Sequence, residues 1–130
     1  MTLVVGLGCQ RGCDAHTLLS LIDAALAEGG IERDRITALA SIDLKKDEPG
    51  MLALAETLGL PLRCFSAEQL SVYADRLSHK SEMAFTHTGC HGIAESAALA
   101  LAEQLTGSEA RLLITRQKTA QATFALACAG

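Results

Sequence analysis

Leu3 to Leu7 is a short unbroken apolar run that ends in Gly6-Leu7-Gly8. Such a run, too short for a core helix, fits a strand buried on both faces of a parallel sheet. After the polar turn Gln10-Arg11-Gly12, Asp14 is placed to cap a helix. Ala15, Leu18, Leu19, Ile22, Ala25 and Leu26 fall on one face of it at helical spacing, and Gly29-Gly30 stops it. Ile36 to Ile42 reads as a second buried strand, followed by the most charged stretch of the chain, Asp43 to Gly50. Pro49 suits the first turn of a helix over Met51 to Leu58, ended by Gly59. Pro61 to Phe65 is a short third strand. Ser66 and Gln69 form a capping box for a helix expected to run to about Arg76.

Leu77 to Thr88 is polar and only weakly periodic, which predicts a loop. Gly89-Cys90-His91-Gly92 leads into a long helix whose Ile93, Ala97, Leu101 and Leu105 recur every four residues. Two apolar strands close the chain, Arg111 to Thr115 and Thr123 to Cys128. Too few residues join them for a crossover helix, so they are expected to pair antiparallel. The alternation predicts one three-layer α/β domain over residues 1–130. Its sheet is mixed but mostly parallel, with about five strands and helices on both faces.

Composition narrows the function. The chain is 49% hydrophobic and only 3% aromatic, so its core is aliphatic and it offers no stacking platform for bases. A formal charge of −4 argues against nucleic acid and against an acidic membrane surface. No apolar run reaches the roughly 18 residues of a membrane span. Met1 to Gly6 carries no cationic leader, and five cysteines make an odd number, which together predict reduced thiols and a cytoplasmic protein. The pattern does not fix the oligomeric state.

Ligands of open α/β sheets bind beyond the carboxyl ends of the strands. Gly8 to Asp14, Asp43 to Gly50 and Ser66 to Glu68 fall there, and Gly89 to Gly92 precedes a helix. Helix amino termini seat anions, and Arg11, Lys45, Lys46 and Lys118 add positive charge, so the expected ligand is an acidic small molecule. The glycines match neither GxGxxG nor a P-loop, and they serve equally as a tight strand-to-helix turn. Glu48 and Asp43 are the candidate general bases. Glu95 lies in the first turn of the Ile93 helix, where it either aligns with the helix dipole or faces the ligand. Cys13, beside a helix start, is the cysteine whose pKa that start would lower. Cys9 with Cys13, and His87 with Cys90 and His91, match no common zinc spacing, so no metal or other cofactor is expected.

Several of these segments carry a resemblance. Gly6 to Gly12, Ala40 to Gly50, Leu58 to Leu62, Phe65 to Leu70, Gly89 with Ile93 to Leu99, and Lys118 with Ala122 to Ala125 resemble the CobE/CbiG C-terminal family of cobalamin biosynthesis. The Asp43 to Gly50 stretch is the most specific part. In fused members of that family the domain belongs to the cobalt-precorrin-5A hydrolase, which opens a δ-lactone on the macrocycle and releases acetaldehyde. The resemblance implies a precorrin-type tetrapyrrole ligand, an acidic ring that basic forks and helix amino termini would hold. Gly8, Arg11, Gly12, Lys45, Ser66, Gly89, Glu95 and Lys118 are the binding residues implied. Glu48, and after it Asp43, would activate water if the lactone is opened here. The alternative is a non-catalytic carrier that hands precorrins between enzymes of the pathway.

Overall fold

The computed structural model describes all residues from 1 to 130. Its strands are β1 (Thr2–Cys9), β2 (Ile36–Ile42), β3 (Leu62–Phe65), β4 (Arg111–Lys118) and β5 (Ala122–Ala129). Its helices are α1 (Ala15–Gly29), α2 (Pro49–Leu58), α3 (Ala67–Ser71), α4 (Glu82–Thr88) and α5 (Ile93–Thr106). The strands form one sheet in the order β3-β2-β1-β5-β4. β1, β2 and β3 run parallel, and β5 is antiparallel to both β1 and β4. Only β5 therefore runs against the rest, and the α/β sheet is mixed, as the apolar pattern predicts.

Alternation along β1 explains the layers. Leu3, Val5 and Leu7 join the core beneath α1 and α2, together with Leu18, Ile22, Met51 and Leu54. Val4 faces the opposite way, into the core built around α5. On that second face the sheet carries mostly small residues: Ala38 and Ala40 from β2, Ala127 and Ala129 from β5. α5 answers with Ala97, Ala98, Ala100 and Ala102, all buried. Small residues on both surfaces let the helix lie close to the sheet. Gly6 marks the tightest approach, because a Cβ there would overlap the Ala94 carbonyl oxygen and stand 2.9 Å from the Ala98 Cβ. Gly6 and Gly8 thus belong to the strand, Gly6 making room for α5 and Gly8 for the Thr123 side chain, rather than forming the turn that the sequence suggests.

Local signals fix most boundaries. Asp14 accepts the Thr17 amide at 2.7 Å and caps α1, and that amide holds the Asp14 carboxyl below its usual range. Pro49 opens α2. Ser66 and Gln69 form the expected capping box, yet α3 stops at Ser71, and a single 3-10 turn covers Ala74–Arg76. Residues 82 to 88, expected as loop, form helix α4. None of its side chains is buried, so it leaves no apolar periodicity to read. Its remaining signals are Ser81, whose hydroxyl accepts the Ala84 amide, and Gly89 at its end.

Candidate functional site

Because β1, β2, β3 and β4 point the same way, the ends of all four lie on one edge of the sheet. From β1 the chain builds outward through β2 and β3, then returns by α5 to the other side of β1. The end of β1 is therefore the topological switch point, where ligands of such sheets bind. A cleft of about 260 Å³ opens there, lined by Cys9 and Gln10, the start of α5, α4, and Arg116, Lys118 and Thr123 of the β4–β5 hairpin. A second hollow of about 160 Å³ shares Cys9, Gln10, Ile93, Lys118 and Thr123 with it, and Gly8 lines this hollow.

The predicted residues divide between two sides of this edge. Gly8, Glu95 and Lys118 line the cleft or the hollow that joins it. Gly12 and Glu48 line a separate hollow against α1 and α2. There the Gly12 amide donates to Glu48 Oε1 at 3.3 Å, and Lys45 Nζ lies 3.8 Å from the same oxygen. Lys45 and Glu48 thus tie the charged stretch to the loop after β1. Arg11 is exposed on that loop and Asp43 is exposed after β2, and neither lines the cleft. Ser66 accepts the Gln69 amide as the cap of α3.

Two placements differ from expectation. Gly89 does not lie at the amino terminus of the long helix. It ends α4 in the left-handed conformation, with φ 78°, and Gly92 opens α5. No side chain caps α5, so its first turn faces the cleft without a protein partner for its amides. Glu95 is 1% exposed, and its carboxylate is filled by protein donors. Oε1 accepts the Ser78 amide at 2.8 Å and the His79 amide at 3.4 Å, while Oε2 accepts the Ser78 hydroxyl and the Arg116 amide at 2.9 Å.

The cysteines show a further difference. Cys13 is buried, and burial raises its pKa, assisted by the charge of Asp14. The helix start does not lower it, since Asp14 already occupies that position. Burial also pushes the Cys9 thiol up to about 11, against the opposing pull of Lys45. No three His, Cys, Asp or Glu side chains converge as a metal-binding set. His91 instead stacks on Phe85 with ring centroids 4.4 Å apart and lies 3.4 Å from the Glu82 carboxylate.

Sequence reading missed Arg116, the second cation of the cleft. Its placement follows from an irregularity in β4 that no residue type announces. The pairs Ile114–Leu126 and Gln117–Phe124 enclose three steps on β4 against two on β5, a bulge at Thr115–Arg116. A larger hollow, about 440 Å³, lies at the opposite end of the sheet by Arg33, Ile36 and Leu58. Its cation is already paired, with Arg33 Nε 3.4 Å from Asp23. No helix is long and apolar enough to cross a membrane.

The family described as cobalamin synthesis G C-terminus matches residues 3–127. Protein CobE of Sinorhizobium sp is 41% identical over 125 residues, which are 96% of this chain and 79% of that protein. The cobalt-precorrin-5A hydrolase of Priestia megaterium is 34% identical over 97 residues, 75% of this chain but 25% of the hydrolase. A crystal structure of CobE, described as a protein from the cobalamin (vitamin B12) biosynthetic pathway, superposes with a TM-score of 0.93 at 44% identity. That match covers 97% of this chain and 89% of the other.

Proposed function

The chain belongs to the cobalamin synthesis G C-terminus family and is a cobalamin biosynthesis protein, and we propose that within that pathway it binds a precorrin-type tetrapyrrole across the cleft at the end of β1. One observation carries this reading. Arg116 and Lys118, neither of them in an ion pair, line the same cleft as the uncapped start of the 14-residue helix α5. Positive side chains and free helix amides in one cleft suit a ring edged with carboxylates. Small-molecule sites run from about 300 to 1,000 Å³, and this cleft lies below that range. A macrocycle would therefore insert one edge and spread its remaining acids over the rim beside Lys118.

Carriage of the ring is favoured over hydrolysis by the position of Glu48. Its Oε1 is engaged by Gly12 and Lys45, and the residue lines the hollow on the other side of β1. A general base must come within hydrogen-bond reach of its water at the reacting carbon. A carrier would take its partners among the other enzymes of the pathway.

Titration with uroporphyrin III, an octacarboxylate tetrapyrrole, tests the reading by absorbance. Saturable binding that weakens with salt is expected. Lys118→Glu should weaken it about tenfold or more, since it replaces a charge-assisted contact by a repulsion. Lys45→Glu should do less, because that side chain is paired with Glu48 and does not line the cleft. Failure of the unaltered protein to bind at low salt would remove the proposal. Incubation with cobalt-precorrin-5A then separates the two roles, because acetaldehyde release requires hydrolysis and a carrier gives none.

A further inference from the structure

Arg116 reaches the cleft from a strand whose regular pairing would not put it there. Between Ile114 and Gln117 β4 carries one residue more than β5 opposite. A bulge of this kind leaves an amide without a ladder partner and turns the following side chains. The freed amide is that of Arg116, and it donates to Glu95 Oε2 at 2.9 Å.

We infer that Glu95 is a positioning residue for the cleft: its buried carboxylate holds the β4 bulge and so aims Arg116 at an anionic ligand. The inference rests on the ligand reading given above and adds the device that sets one of its two cations. Glu95 projects from the first turn of α5, which lines the cleft together with Arg116. The same carboxylate takes the amides of Ser78 and His79, so it joins three segments at the cleft. Every group that meets it is a donor. A carboxylate satisfies four donors at once, whereas a glutamine would turn its own NH2 against either Ser78 or Arg116. A buried amide without an acceptor is unfavourable enough to move the bulge.

The test is a double-mutant cycle with uroporphyrin III as the probe. Arg116→Gln should weaken binding about tenfold, the loss of one charge-assisted contact. Glu95→Gln should weaken it by a similar factor. The double variant should lose little beyond either single one, because Glu95 acts through Arg116. A purely structural role would instead multiply the two losses, and that result overturns the inference. Binding unchanged in Arg116→Gln also overturns it, while leaving Lys118 and the ligand reading intact. No binding by the unaltered protein sinks the reading of the cleft and this inference with it. Amide exchange in the unaltered protein needs no folded variant. The Arg116 amide should be protected like its neighbours in β4, and free exchange there would contradict the proposed bond.

Discussion

Glu103 does for the back of α5 what Glu95 does for its front. Its carboxylate accepts the Tyr73 hydroxyl at 3.0 Å, the Arg76 guanidinium at 3.0 Å and the Ala110 amide at 2.8 Å. Burial works to raise its pKa, but the Ala110 amide, Arg76 and Tyr73 outweigh it and hold the carboxyl below its ordinary range. The folded value lies below the unfolded one, so this tie contributes stability above the unfolded value and loses it as pH falls through the folded value. Glu103→Gln should therefore lower the melting temperature at neutral pH, through a loss of about 1–2 kcal/mol. The gap from the unaltered protein should close as pH falls below the unfolded glutamate value of about 4.3 and then through the lower folded value. A gap that widens with acid in thermal melts would refute this account of Glu103. Neither carboxylate advertised its role in the sequence. Their partners lie far along the chain for Glu95, at Ser78 and Arg116, and for Glu103, at Tyr73 and Arg76.

β1, β2, β5 and the long helices were legible because each buries a continuous apolar face. β1, α1, β2 and α5 all lie where their periodicity puts them. α4 was not legible, since a helix with no buried side chain writes nothing into the pattern. α3 shows the converse: a sound capping box starts a helix but does not fix its length. The meaning of the first glycines also depended on packing. Gly6 and Gly12 look alike in sequence, yet one lies under α5 and the other is open. Gly6→Ala should destabilise the fold by about 2–3 kcal/mol, since α5 must lift to admit the methyl group. Gly12 has φ 82° and nothing within 4 Å of an added Cβ, so Gly12→Ala should cost only about 1 kcal/mol, the strain of a left-handed alanine. Urea unfolding of the two variants checks the order, and equal losses would refute the close approach of α5 to β1.

The sheet order brings together what the chain keeps apart. Loops after β1 and β2 meet on one edge, and Gly12 bonds to Glu48 across 36 positions. That convergence was foreseeable from the βα alternation. Its division into two hollows was not, because it depends on where α5 crosses β1 and on the bulge in β4. Lys118 was singled out from the residues between the two closing strands, though it ends β4 rather than lying in a loop, whereas Arg116 and the start of α5 at Gly92 needed the coordinates. The resulting picture assigns the ligand to the side of β1 that α5, α4 and the β4–β5 hairpin enclose. It leaves the charged stretch after β2 as a brace for the neighbouring loop. Amide chemical-shift mapping during addition of uroporphyrin III tests that assignment most directly. The account predicts shifts gathered at Cys9–Gln10, Gly92–Glu95 and Arg116–Thr123, with Arg33–Ile36 and Thr57–Leu60 silent. Shifts centred on Arg33 and Leu58, at the far end of the sheet, would contradict it.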